Sequence, residues 1–269
     1  MPRTRRQMSR TRSLIIASEG DLEVHRDPQR VSGRLLRQDG MDASYIDLAD
    51  AGHLEFDYLR WSRVVLRAFG ATRVLHLGGG ACALARALLA EDCESRHEVV
   101  EVDARVFEIA RAHMGLRRQP GLKLRVGDGR AVLEAQRLRA SVGQRRDAIV
   151  IDAFVAALVP RHLVTREALG ACAEVAPLTV VNVVDTAGLP DTRRIAAGLA
   201  EAYTLVGALA GSHRAAGNIV LFASSAEPPH VRIERQAAAD RTPARLLAPS
   251  QLAGAGMWRD PATSAPADC

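Results

Sequence analysis

From Arg73 onward, short apolar runs alternate with helix-period stretches. The runs fall at 74–77, 99–102, 122–126, 148–151 and 178–184, and the helical stretches at about 82–91, 104–114, 129–139, 165–174 and 191–203. Continuous apolar runs of this length suit strands covered on both faces, and a strand-then-helix repeat implies parallel pairing. Five such units leave little choice but a doubly wound, mostly parallel α/β sheet. Two further runs, 205–209 and 218–223, read as a closing pair of strands.

The residues before this repeat have a different character. Leu22–Val24, Val31–Leu36 and Ser44–Leu48, with the turn dipeptide Asp39-Gly40, predict a small β-rich segment. Leu54, Tyr58, Trp61, Val65 and Phe69 then recur at three- and four-residue steps, predicting a lead-in helix that Gly70 ends. The expected organisation is a basic flexible tail at 1–19, the β-rich segment and lead-in helix at 20–70, a nucleotide-binding α/β domain at 71–232 and a partly loose extension at 233–269. Beyond Pro228-Pro229 that extension predicts one short helix around 242–253, with the last ten residues loose.

Composition matters mainly for charge. The formal net charge is +5, which taken alone invites a nucleic-acid partner. Five arginines and no acid lie in the first twelve residues, and without them basic and acidic residues balance at 31 each. The basicity therefore belongs to the tail, which argues against nucleic acid as partner of the folded body. Leu14–Ala17 is too short for a secretory core segment, and nothing approaches the roughly eighteen apolar residues of a membrane span. Cys82, Cys93, Cys172 and Cys269 lack metal or redox spacing, so a cytoplasmic protein with free thiols and no metal is expected.

In an open parallel sheet, ligands bind beyond the carboxyl ends of the strands. Gly78, Gly79 and Gly80 follow the first strand of the repeat, where glycine lets backbone approach a ligand and a helix N-terminus offers free N–H groups. Glu101 ends the second strand, twenty-one residues after Gly80, where an acid can accept both hydroxyls of a ribose. Asp103 beside it reads as the cap of the next helix. After the third strand, Gly127-Asp128-Gly129-Arg130 offers an aspartate for an adenine amino group, or a cap for helix 129–139. Asp152 ends the fourth strand, pointing a carboxylate into the same crevice or acting as a turn residue. Four such turns in one sheet indicate a nucleoside-bearing cofactor.

The ordered set G-G-G, V-V-E-V-D, G-D-G-R and D-x-I-V-I-D resembles the spermidine synthase family of class I S-adenosylmethionine-fold transferases, over roughly residues 30–225. The resemblance implies a class I methyltransferase-like Rossmann fold with a small N-terminal β-rich segment, and a homodimer. It assigns the donor ribose to Glu101, the adenine to Asp128, deprotonation of the acceptor amine to Asp152, and a helix-borne aromatic to Tyr58. The donor would be S-adenosylmethionine or its decarboxylated form, and the acceptor a small amine. Several positions depart from the family pattern. Ala81 stands where an aspartate receives the aminopropyl ammonium, Ala43 where a glutamine meets the donor, Val155 where a second aspartate follows Asp152, and Leu59 where histidine or glutamine is common. The nucleoside-holding half is kept and the polyamine half is eroded. Aminopropyl transfer, methyl transfer and a catalytically decayed nucleoside-binding homologue all remain open on these residues. So does an NAD-dependent oxidoreductase, which Gly78-x-Gly80-x-x-Ala83 with Glu101 also fits, although no hydride-transfer set accompanies it.

Overall fold

The computed structural model describes residues 14–212 and 216–261. Four strands open the chain: β1 (Leu14–Glu19), β2 (Leu22–Arg26), β3 (Gly33–Gln38) and β4 (Met41–Asp47), forming an antiparallel sheet in that order. The β3–β4 turn is Asp39-Gly40, both left-handed at φ 49° and 72°, as a two-residue hairpin loop requires.

Strand β1 corrects the expected tail at its inner end. Leu14–Glu19 pairs antiparallel with β2, turning through Gly20 at φ 61° and Asp21. The apolar run there is short and mostly exposed, so its strand character comes from backbone pairing with β2. The arginine-rich stretch 1–13 lies outside the described residues.

Helix α1 (Asp57–Ala68) buries Leu59, Trp61, Val65 and Leu66 and stops where Gly70 takes φ 66°. The strands and helices of the repeat follow: β5 (Arg73–Leu77), α2 (Ala83–Glu91), β6 (Arg96–Glu101), α3 (Ala104–His113), β7 (Leu122–Val126), α4 (Gly129–Ala140), β8 (Ala148–Ile151), α5 (Arg166–Val175), β9 (Leu178–Asp185) and α6 (Pro190–Ala202). Strands β5 to β9 pair in parallel. The antiparallel strands β10 (Leu205–Gly211) and β11 (Gly217–Ser224) close the far edge, β11 beside β9.

With a short strand β12 (Ala244–Leu246) at the outer edge, the complete order is β12-β10-β11-β9-β8-β5-β6-β7. Strand order reverses between β5 and β8, which opens a crevice beyond their carboxyl ends. Alternating side chains feed two cores, one on each face. Val74, Val99, Val150 and Val180 pack toward α1, α2 and the N-terminal sheet. Leu75, Leu77, Ile149 and Val181 pack toward α4, α5 and α6. The expected doubly wound, mostly parallel α/β fold is therefore present.

The C-terminal extension departs from expectation. In place of one helix around 242–253 there are α7 (His230–Ala238), strand β12 (Ala244–Leu246) and a single turn α8 (Pro249–Leu252). Pro229 precedes α7, where a missing N–H costs nothing, and Ile233 and Ala237 bury one face of the helix. The extension is also anchored to α1. Arg60 pairs with Asp240 at 3.0 Å, both nearly buried, and the Trp61 indole donates to the Thr242 carbonyl at 3.0 Å.

Candidate active site

Gly78, Gly79 and Gly80 take φ of 82°, 148° and 51°, and Cys82 at the start of α2 is also left-handed at 64°. The turn is compressed between neighbours on both sides. A side-chain carbon on Gly78 would lie 2.4 Å from the Asp152 carbonyl oxygen. Across the turn, Ser44 of β4 accepts the Ala81 N–H at 3.3 Å. The N-terminal sheet thus closes over the glycine turn and leaves Ala81 fully buried. The Cys82 thiol is pushed up to about 12 by burial, so it stays protonated and is no nucleophile.

Glu101 ends β6 with one carboxylate oxygen accepting the N–H groups of Val102 at 2.9 Å and Asp103 at 3.4 Å. The Gly80 N–H also donates to it, which ties the acid to the glycine turn. Burial holds its acidity weaker than usual despite these donors. Asp103 caps α3, accepting from the Arg105 N–H at 2.9 Å.

Asp128 fulfils its capping reading: one oxygen accepts the Ala131 N–H at 2.9 Å. Its other oxygen meets His162 Nε2 at 2.9 Å, a partner that sequence reasoning missed. Burial would raise the carboxyl, but the Ala131 and His162 donors prevail and hold it below the usual range. A β-carbon on Gly129, directly after it, would lie 3.1 Å from Leu163 Cδ2.

Asp152 is the most perturbed carboxylate of the crevice. Its own N–H continues the β5–β8 ladder to the Leu77 carbonyl at 2.9 Å, fixing the backbone. Burial raises the side chain to about 6, while hydrogen bonds from Asn182 and Tyr58 oppose that rise. Asn182 Nδ2 donates to Asp152 Oδ1 at 2.9 Å, and Asn218 Nδ2 donates to Asn182 Oδ1 at 3.1 Å. The second amide fixes which way the first one points, so Asp152 faces a donor. Burial and the Asp152 charge push the Tyr58 phenol well above its ordinary value, so it remains a hydrogen-bond donor. Asn182 was legible only as a lone amide within the apolar run LTVVNVVD.

The cleft beside these groups is lined by Tyr58, Gly78, Gly79 and Asp152, together with His76 and Val150. His76 was also missed. Its Nε2 lies 3.1 Å from His97 Nδ1, and His97 Nε2 lies 2.9 Å from Ser95 Oγ, whose proton goes to the Asp92 carbonyl at 2.6 Å. Burial drives both rings toward the neutral form, His97 down to about 4. Among the described residues, no group of three His, Cys, Asp or Glu side chains could hold a metal, and no helix is long and apolar enough to cross a membrane.

No family model matches the chain. The polyamine aminopropyltransferase of Vibrio vulnificus is 34% identical over 96 residues, which is 36% of this chain and 30% of that protein. The match thus spans less than a third of that relative's length. A solved probable spermidine synthase from Corynebacterium glutamicum superposes with a TM-score of 0.81 at 28% identity, covering 95% of this chain and 99% of the other. The protein resembles the spermidine synthases along nearly its whole length. The spermidine synthase of Thermotoga maritima shares the fold at 17% identity, with a TM-score of 0.59 over 84% of this chain and 78% of that one.

Within this spermidine-synthase-like frame, the structure brings Tyr58, Gly78 and Asp152 together around one cleft. Glu101 lies outside that lining, tied to the glycine turn through Gly80. Asp128 stands apart from that lining, half-exposed at the head of α4. Replacing Asn182 by Leu should carry the acid limb of any Asp152-dependent activity upward by about one to two pH units, since a hydrogen bond to a charged group is worth roughly 1.5–3 kcal/mol. A pH–rate profile identical to that of the unmodified protein would mean that the amide does not govern Asp152.

Proposed function

We propose that the protein is a transferase that moves an aminopropyl group from decarboxylated S-adenosylmethionine to a small amine. The observation that carries this reading is the Tyr58–Asp152–Asn182 constellation beside the glycine turn, with Glu101 tied to that turn from the next strand. The likeness to a probable spermidine synthase over almost the full chain supports it.

In this reading Glu101 accepts the ribose hydroxyls and Asp128 the adenine amino group, while Gly78–Gly80 let the nucleoside lie against backbone. Asp152 orients the acceptor nitrogen and takes its proton. The nitrogen lone pair forms a bond to the aminopropyl carbon attached to sulfur, the carbon–sulfur bond breaks, and its electron pair leaves with sulfur as the neutral thioether methylthioadenosine. Tyr58, kept protonated, holds the carboxylate toward the cleft. An acid near 6 is mostly ionised at neutral pH yet still basic enough to receive a proton, which suits a general base. The homodimeric and cytoplasmic expectations belong to the same proposal, and sedimentation would decide the first.

One observation favours a second reading. Ala81 places no carboxylate against an aminopropyl ammonium, so a donor that keeps its own carboxylate meets no repulsion there, and methyl transfer from intact S-adenosylmethionine would follow. Calorimetry with the decarboxylated donor, intact S-adenosylmethionine, methylthioadenosine and NAD separates the readings. Tighter binding of the decarboxylated donor supports aminopropyl transfer, tighter binding of the intact donor supports methylation, and binding of NAD alone overturns both. Glu101→Ala should weaken methylthioadenosine binding by about 1–3 kcal/mol, the cost of leaving polar groups unpaired. An unchanged dissociation constant would remove Glu101 from the ribose site.

A further inference from the structure

The imidazole in the Asp152 cleft, His76, has a proton arrangement that its partners fix. Ser95 Oγ lies 2.6 Å from the Asp92 carbonyl, which can only accept, so the hydroxyl proton points there. His97 Nε2, 2.9 Å from the same hydroxyl oxygen, must then carry a proton and donate it. Burial keeps both rings neutral, so His97 Nδ1 is a bare lone pair. It accepts from His76 Nε2 at 3.1 Å, which leaves His76 Nδ1 bare in turn. The carbonyl after α2 thus dictates, through two rings, that His76 offers the cleft an acceptor and not a donor.

His76 Nδ1 has no protein partner among the described residues. Nor is it one of the unpartnered polar atoms sealed from solvent, so the slight surface that His76 keeps reaches this nitrogen. That surface belongs to the cleft that His76 lines with Tyr58, Gly78 and Asp152. Other acceptors of the lining are engaged: Ser44 Oγ takes the Ala81 N–H at 3.3 Å, and Asp152 takes Asn182 and Tyr58. The enclosed part of the cleft, about 20 Å³, admits one water-sized group, which is the size of an ammonium. Gly78 follows His76 by two residues, about 6–7 Å along a strand. A three-carbon arm on a sulfur at the glycine turn, ending in a hydrogen bond, covers that distance.

Resting on the donor reading above, we infer that His76 receives the terminal ammonium of a 3-aminopropyl arm on the donor's sulfur, and so selects the decarboxylated donor. The ammonium N–H meets a lone pair that has no protein partner, and the Asp152 carboxylate of the same lining favours its charge. A carboxylate at that place would face a lone pair with no N–H to receive it, losing hydration without gaining a partner. The branched amino-acid arm of the intact donor also brings two charged groups to a space for one.

Three adenosine thioethers that differ only in the arm on sulfur test this. The arms are methyl, as in methylthioadenosine, 3-aminopropyl, and the amino-acid arm of S-adenosylhomocysteine. Each is titrated calorimetrically into the full chain. The 3-aminopropyl thioether should bind about tenfold tighter or more than either of the others, the scale of a hydrogen bond to a charged group. In His76→Leu its preference over the methyl arm should fall below about threefold. The unmodified protein gives an independent reading, should that variant fold poorly. In nitrogen NMR spectra of the histidine-labelled chain, His76, assigned by difference from His76→Asn, should carry its proton on Nε2. Its Nδ1 resonance should move farther with the 3-aminopropyl thioether than with methylthioadenosine. No gain from the aminopropyl arm, tighter binding of S-adenosylhomocysteine, a preference unmoved in His76→Leu, or a His76 proton on Nδ1 would each overturn the inference. Methylthioadenosine binding would in those cases leave the donor reading standing. Failure of all three thioethers to bind would instead overturn the donor reading, and this inference with it.

Discussion

Asp152→Asn should lower kcat/KM for group transfer by roughly 10²–10⁴, the range that a positioned general base supplies. Methylthioadenosine binding should stay within about threefold, because the nucleoside is assigned to Glu101, Asp128 and the glycine turn. The substitution is nearly isosteric, and its amide oxygen can still accept from Asn182, which lies 2.9 Å from Oδ1 in the unmodified protein. The fold around the cleft therefore has no reason to change.

Stability should move the other way from activity. Burial is the main cause of the rise in Asp152 to about 6 from its ordinary value of 3.8. A carboxyl whose folded-state value lies above its unfolded one favours the protonated fold, so its contribution is fully present below about 4 and is lost as pH climbs through 6. At pH 7.5 the ionised group costs on the order of 3 kcal/mol, an upper bound given its partial exposure to the cleft. An uncharged amide escapes that cost. Denaturant melts at pH 7.5 should show the variant at least as stable as the unmodified protein, with the difference vanishing near pH 4. The unmodified enzyme should also lose activity as pH falls through about 6, where Asp152 takes up a proton. Loss of stability at pH 7.5 together with full activity would show that Asp152 is a structural group.

What could be read from the residues and what could not divides along a physical line. Strands β5 to β9 announce themselves because burial on both faces demands unbroken apolar runs, and the turns after them are where the chain must expose polar groups. Glu101, Asp128 and Asp152 stand at those turns, so their positions follow from local sequence. Their partners do not. Asn182 meets Asp152 from β9, and Asn218 reaches Asn182 from β11, where the register pairs Val220 with Asn182. Such pairings depend on strand order and on a register set by the whole sheet. His162 reaches Asp128 from a turn 34 residues away. The same limit hid β12, which is a strand only because β10 offers it an edge, and β1, whose exposed side chains carry little burial signal. Capping, by contrast, is local, and Asp103 behaves as its position beside a helix start implies.

Gly78→Ala should be the most damaging single-carbon change to the site. The cost has two sources that add. At φ 82° a β-carbon meets its own backbone, a penalty of about 1–2 kcal/mol. In addition the new carbon would lie 2.4 Å from the Asp152 carbonyl oxygen and 2.7 Å from the Ala153 α-carbon, both backbone atoms that cannot swing aside. Relief requires parting β5 from β8 at their carboxyl ends, where Asp152 donates its N–H to Leu77 at 2.9 Å. A total of roughly 3–5 kcal/mol is expected, in the range of severe backbone and packing defects. For a chain of this size that corresponds to a fall in Tm of about 6–20 °C. Gly70→Ala is the matched control. Gly70 is also left-handed, at φ 66°, but a β-carbon there meets nothing within 4 Å, so only the conformational penalty of about 1–2 kcal/mol applies. The two variants thus separate backbone strain from steric contact. Because the contact involves Asp152, Gly78→Ala should also cost activity and nucleoside binding, whereas Gly70→Ala should leave both intact. Similar melting temperatures for the two variants would show that the glycine turn and the end of β8 are not in contact, and the proximity of donor site and base would fall with it.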